Sequence, residues 1–174
     1  MVAAAKYEVK ITKFELKNSS TGDWVTAYTG VSSALDIASG AAGQSVGNFL
    51  SGLEVPDGTY ATCKVTVSKA FKIRGTSGSY HTTAETTIQP IDGRTVSVAS
   101  TSGSAADCDT LVLDTDVTAQ EKSFSAITIT NGIVDHKIRV SFDVSAALEF
   151  GTLDNGIPFF CPKTPTITVT SVDL

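Results

Sequence analysis

Apolar and polar residues alternate on both sides of the dipeptide Asn131-Gly132. Asn-Gly accepts positive φ at both central positions of a type I′ turn, whose twist matches that of two antiparallel strands. The sequence therefore predicts a β-hairpin that pairs Ile129 with Val134 and Ile127 with His136. The second strand should have one solvated side. Its predicted inward residues are Ile138, Val140, Phe142 and Val144, and its predicted outward residues are Asp135, Lys137, Arg139, Ser141 and Asp143.

The composition extends this pattern to the whole chain. Ser and Thr make up roughly a quarter of the 174 residues, and Val, Ile and Gly are frequent. This balance favours strands and turns over helices, and the length suits a single core. We predict an all-β fold of about eight to ten strands, an antiparallel β-sandwich of immunoglobulin-like, prealbumin-like or jelly-roll-like form. Residues 1–174 should form one domain, with residues 1–6 as a flexible or strand-exchanging arm.

Both terminal regions of the chain are patterned as strands. Within residues 7–16 the apolar set changes phase between Ile11 and Phe14, so one extra residue near Thr12-Lys13 predicts a β-bulge. A terminal strand needs a sheet to join, either its own or that of a neighbouring copy. We predict an assembly strand from one of these regions, with an ordinary intramolecular strand as the alternative. The residues concerned are Tyr7, Val9, Ile11, Phe14, Leu16, Ile167, Val169, Val172 and Leu174.

The sequence contains three cysteines. Cys63 lies on the apolar face of a predicted core strand, where a thiol acts as a small hydrophobic group. Cys108 and Cys161 lie in predicted irregular segments. The simplest arrangement is a Cys108–Cys161 disulfide with Cys63 buried and reduced, and a Cys63–Cys161 disulfide is the alternative.

Charge and hydropathy narrow the choice of partners and location. The formal charge is −5 and the basic residues are scattered, which argues against a nucleic-acid partner. No apolar run approaches the roughly 20 residues of a transmembrane helix. Residues 1–5 have the small-residue character of a signal-cleavage site. We expect an extracellular or cell-surface protein whose leader has been removed.

Groups that could perform catalysis are few. His81 and His136 are the only histidines, which leaves little for acid–base work at neutral pH. The chain has no Gly-x-Ser-x-Gly motif, no phosphate-binding glycine loop and no Cys-x-x-Cys pair. We therefore expect that the protein is not an enzyme.

Two Asp-x-Asp pairs, Asp107 with Asp109 and Asp114 with Asp116, are the candidate metal ligands. Each pair places two carboxylates on one side of an extended segment, and Ca²⁺ prefers oxygen ligands of this kind. Calcium is the one cofactor that the sequence suggests. The alternative is that these carboxylates are solvated turn residues.

Trp24 and Tyr28 are the candidate glycan-binding residues. Sugar rings stack on exposed aromatic side chains, and the two residues fall on one short predicted strand. This feature predicts a surface glycan as a ligand.

Several short segments of the first 75 residues carry a family resemblance. They are the strand Val9–Leu16, then Trp24-Val25, Leu35-Asp36-Ile37, Pro56-Asp57-Gly58-Thr59-Tyr60 and the strand Lys64–Val67. Residues 7–75 resemble the opening of a widespread family of uncharacterised bacterial secreted and lipoprotein domains with a prealbumin-like sandwich fold. The resemblance implies an extracytoplasmic β-sandwich, and the family brings no agreed activity or functional residue.

Together these features predict a structural subunit of an extracellular filament or surface assembly. Copies of the chain would polymerise head-to-tail into a homopolymer by exchanging a terminal β-strand. The alternative is a secreted module that binds a ligand or carbohydrate.

Overall fold

The computed structural model describes residues 1–40, 55–88, 95–118 and 121–173. These residues form strands, turns and irregular segments and contain no helix, so none of them belongs to a helix long and apolar enough to cross a bilayer. The predicted all-β antiparallel sandwich is confirmed, in the form of curled sheets that make sandwich-like half-barrels. The described strands are β1 (Ala4–Val9), β2 (Ile11–Asn18), β3 (Trp24–Thr29), β4 (Leu35–Asp36), β5 (Gly58–Val67), β6 (Ala70–Ser77), β7 (Tyr80–Ile88), β8 (Val96–Ser100), β9 (Asp109–Val112), β10 (Val117–Thr118), β11 (Lys122–Thr130), β12 (Ile133–Val134), β13 (His136–Asp143), β14 (Leu148–Thr152), β15 (Pro158–Pro162) and β16 (Thr166–Asp173).

The strands are distributed over three sheets. The first sheet has the order β14-β15-β8-β7-β6-β1-β4, and β9 also pairs with β6. The second sheet has the order β12-β11-β5-β2-β3, and β10 also pairs with β5. A third sheet pairs β13 with β16, the two described strands that it contains. The described residues thus form sixteen strands, more than the expected eight to ten, because segments that read as one strand are divided between sheets.

The first sheet curls until its two ends approach each other. Val2 forms an isolated antiparallel bridge with Leu148 of β14, in which the Val2 amide donates to the Leu148 carbonyl at 2.8 Å. The Ala4 amide donates to the carbonyl of Val144 at 3.2 Å. The chain that begins β1 is therefore tied to β14 on one side while β1 itself pairs with β6.

The predicted strand over residues 7–16 is two strands in two sheets. β1 ends at Val9, and β2 begins at Ile11 between β5 and β3. The change of sheet occurs at Lys10, which is exposed. The predicted bulge is confirmed, since the β2–β5 register shifts between Ile11 and Lys13. Ile11 and Phe14 are consequently both buried, at 0% and 1% exposure.

The predicted hairpin is correct at its turn and wrong beyond it. Ile129 pairs with Val134 as expected, but Ile127 pairs with Tyr60 of β5, and His136 pairs with Asp173 of β16. Asp135 still bonds to β11, since its amide donates to the Thr128 carbonyl at 3.2 Å and its carboxylate accepts the Thr128 amide at 2.9 Å. The next residue, His136, already belongs to the ladder with β16. β13 then pairs along its whole length with β16. The predicted inward and outward residues of this strand are confirmed as half-buried and exposed, respectively.

Candidate functional site

The N-terminal residues of the predicted assembly strand lie in the core of their own chain. Tyr7 and Val9 are buried on β1, between β6 and β4. Ile11, Phe14 and Leu16 are buried on β2, between β5 and β3. The outward residues of β1 pair with each other and with β4, because Lys6 Nζ lies 3.1 Å from Glu8 and 3.6 Å from Asp36.

The C-terminal residues of the predicted assembly strand are held less tightly. Among the described residues, β16 has a ladder with β13 only. Val169 is buried, whereas Ile167 and Val172 are half-buried. Leu174 lies outside the described residues. The two terminal regions therefore differ in burial, and β1 with β2 contributes more to the core than β16 does.

A cavity of about 680 Å³ lies between the sheets, next to the buried face of β1. Its walls are largely apolar and come from both main sheets and from the third, with Val9, Val65, Phe71 and Phe142 among the lining residues. Thr118, Thr164 and Thr166 also line the cavity and are exposed, so the cavity reaches the surface beside them.

Ionisable side chains line part of the same cavity. They are Tyr7, Cys161, Lys122 and Lys163. The Tyr7 hydroxyl donates to the Lys163 carbonyl at 3.2 Å, and its ring stacks on Phe71 with centroids 5.8 Å apart. Burial raises the pKa of the Tyr7 phenol well above its ordinary value, so Tyr7 stays neutral and serves as a wall and a hydrogen-bond donor.

The sequence did not predict this cavity. Its lining residues come from at least seven strands far apart in the chain and from segments between strands, so no single stretch of sequence contains the site. Lys122 is the lining residue whose type could have pointed to the cavity, because this charged residue pairs with the buried Cys63 in the β11–β5 ladder. A cation at a position paired with a core residue could have indicated a polar feature between the sheets.

The predicted Cys108–Cys161 disulfide is wrong, and none of the three cysteines is disulfide-bonded. Cys161 is buried on β15, close enough to Tyr7 to affect its ionisation. Cys108 lies close enough to Lys6 to affect that side chain instead.

The four candidate calcium ligands are not brought together. Asp109 is buried on β9, paired with Ile73, while Asp107 accepts the Ser104 amide at 2.9 Å and Asp114 is exposed. Asp116 accepts the Lys69 amide at 2.8 Å. Across the described ranges, no three His, Cys, Asp or Glu side chains form a group that could hold a metal ion.

The two candidate glycan-binding residues lie on opposite faces of the second sheet. Tyr28 packs against the core. Trp24 pairs with Lys17, one rung after the pair between Val25 and the buried Leu16, so it faces outward. The Lys64 Nζ lies 4.0 Å from the Trp24 ring centroid. A cation at this distance is a cation–π contact, which takes up part of the ring that a sugar would need.

The fold and the cavity together define an all-β protein of curled antiparallel sheets that enclose an apolar space. No protein-family model, curated protein or solved structure matches the chain.

Proposed function

We propose that the protein is a structural subunit of an extracellular filament or surface assembly, and that copies polymerise head-to-tail by exchanging β1. The observation that carries this proposal is the way β1 is attached. Its neighbours in the first sheet are β6 and β4, but the chain continues through Lys10 into β2 of the second sheet. β1 thus lies in the first sheet while the strand that follows it lies in the second, and the single residue Lys10 joins the two.

The contacts of β1 are of a kind that another copy can supply. They are main-chain ladder bonds to β6 and β4, three buried side chains, Ala4, Tyr7 and Val9, and the ion pairs of Lys6. None of these contacts depends on whether β1 comes from the same chain or from the preceding one. If each copy donates β1 and accepts the next, the contact is heterologous and propagates without closing.

An extracellular location is part of the proposal. It is supported by the acidic, Ser/Thr-rich composition and by the resemblance of residues 7–75 to secreted domains. In an open filament each copy also keeps exposed sheet edges, and natural proteins protect such edges with charge. Lys137, Arg139 and Asp143 are exposed on β13, a strand that pairs on one side only within the part of the chain that the structure describes.

Cysteine pairs across individual rungs test the proposal directly. In a variant without the three native cysteines, Glu8→Cys with Lys72→Cys bridges β1 and β6, since Glu8 pairs with Lys72. Facing residues in an antiparallel ladder are close enough for a disulfide. After oxidation of material that forms filaments in negative-stain microscopy, exchange of β1 predicts a covalent ladder of multimers on a non-reducing gel.

Two matched pairs complete the experiment. Lys72→Cys with Thr110→Cys bridges β6 and β9, which belong to one copy in either case, and should give monomers only. Ser141→Cys with Thr168→Cys bridges β13 and β16 and reports exchange of the C-terminal strand. Monomers from the Glu8–Lys72 pair, or the absence of filaments at every protein concentration, would refute exchange of β1.

A further inference from the structure

We propose that the cavity between the sheets is a binding site for an amphipathic anion, a molecule with an apolar body and one carboxylate, such as a medium-chain fatty acid. The site is separate from strand exchange. An exchanged β1 would place the same Tyr7 and Val9 side chains against the cavity, so the inference does not depend on how the copies assemble.

The size and lining of the cavity indicate an apolar ligand. Protein interiors are close-packed and contain few voids larger than a water molecule, whereas this space has a volume of about 680 Å³. That volume lies in the usual range of pockets for small molecules, about 300–1,000 Å³. Walls such as Val65, Val67 and Phe71 offer water no hydrogen bonds, and apolar spaces of this kind favour apolar guests over water.

The charges around the cavity indicate an anion. The chain has 18 acidic and 13 basic residues, yet the lining residues that the structure describes include two lysines and no acid. Lys163 forms an ion pair with Glu149 at 2.6 Å. Lys122 is half-buried on β11, at a position that faces the buried Cys63. A cation beside low-dielectric walls attracts an anion more strongly than one in open water does.

The geometry also orients the ligand. The exposed lining residues Thr118, Thr164 and Thr166 mark the side that reaches solvent, and Thr118 lies close in sequence to Lys122. Tyr7, Phe71 and Val65 are buried and mark the inner end. The carboxylate would therefore bind Lys122 near the opening, with the apolar body directed toward Tyr7 and Phe71.

The experiment compares an anion with its neutral counterpart on the purified full-length chain. Dodecanoate and dodecanol, both below the concentration at which they aggregate, are titrated by calorimetry. We expect dodecanoate to bind at one site per chain, at least about tenfold more tightly than dodecanol. Lys122→Ala should remove that preference, and Lys137→Ala, an exposed lysine on β13, should leave it unchanged.

The second part of the experiment uses substitutions that fill the cavity. Val67→Trp should abolish the binding of both molecules, and Leu113→Phe is a smaller filling substitution on the same wall if Val67→Trp lowers the melting temperature. Equal affinity for the two probes, or a preference that survives Lys122→Ala, overturns the recognition of an anion by Lys122. The absence of binding of either probe to the wild-type chain, or binding that neither filling variant affects, overturns the cavity as the site.

Discussion

Gly75 of β6 lies directly against Leu148 of β14, so closely that a Cβ atom on Gly75 would stand 2.6 Å from Leu148 Cδ1. Three strands separate β6 from β14 in the order of the first sheet. The two strands meet because the sheet curls. At the same place Ala4 pairs with Gly75, and Val2 bridges Leu148. Gly75 is therefore the point at which the missing side chain allows the sheet to close on itself.

Gly75→Val should destabilise the protein by about 1–3 kcal/mol, the usual cost of overpacking a core. The new side chain would meet Leu148 and Phe160, and both are fully buried and cannot move toward solvent. Urea denaturation measures the free energy of unfolding. Thr168→Ala, at an exposed position on β16, is the control and should change it by less than about 0.5 kcal/mol. An unchanged stability of Gly75→Val would mean that the curl does not require a glycine.

The sequence predicted the local features of this fold and missed the places where the chain changes sheet. The bulge near Thr12 and the turn at Asn131-Gly132 follow from spacing and φ preferences that a few neighbouring residues determine. At Lys10 the chain crosses between sheets while Val9 and Ile11 keep the two-residue period and are both buried. An unbroken alternation carries no sign of such a crossing.

The candidate site depended even more on distant contacts. The cavity exists because strands such as β1, β5 and β13 leave space between them, and a sequence pattern reports which face of a strand is apolar but not how far away the opposite face lies. The disulfide prediction failed for a related reason. The sequence placed both Cys108 and Cys161 in irregular segments. Cys161 instead lies on β15, one of the buried strands of the first sheet.

Cys108 should be the most reactive thiol of the folded protein. It is half-buried, whereas Cys63 and Cys161 are buried, and burial raises the pKa of the Cys63 thiol to about 11. Since the thiolate is the reactive form, Cys63 should remain unmodified. Alkylation followed by mass spectrometry should label Cys108 first and all three residues only after unfolding. Reducing agent should leave the melting temperature unchanged, and a drop on reduction would contradict the absence of a disulfide.

Asp57 should make the stability of the protein fall in acid. Its carboxylate accepts the amides of Asn131 at 2.8 Å and Gly132 at 3.1 Å, and both turn residues have positive φ, 53° and 74°. These hydrogen bonds, first that of Asn131, hold the pKa of Asp57 below its ordinary value of 3.8. The stabilisation from these hydrogen bonds is therefore fully present above pH 3.8, and it is lost as the pH falls through the pKa that Asp57 has in the folded protein.

Thermal denaturation between about pH 5 and about pH 2 measures this effect. Asp57→Asn should have a lower melting temperature than the wild type at the upper end of the range and a shallower decline below it. Asp154→Asn, at an exposed loop position, is the matched control and should follow the wild type. Parallel curves for Asp57→Asn and the wild type would show that the turn does not depend on the charge of Asp57.

His136 should link the C-terminal strand to pH near neutrality. Its Nδ1 lies 3.1 Å from Asp135 and its Nε2 lies 3.2 Å from Asp173 of β16. The adjacent Asp135 carboxylate, with further attraction from Asp173, raises the pKa of His136 above its ordinary value of 6.5. Because the pKa is raised in the folded protein, the stabilisation from these ion pairs is complete below pH 6.5 and is lost as the pH rises through the pKa of His136 in the folded protein.

Amide hydrogen exchange of β16 at about pH 6 and about pH 8, corrected for the intrinsic rate, should therefore show less protection at the higher pH. His136→Gln should remove this difference, because glutamine cannot carry the charge. His81→Gln, which changes the only other histidine, should preserve the difference. Equal protection of β16 at both pH values in the wild type, with the rest of the protein folded, would mean that Asp173 does not hold the strand through His136.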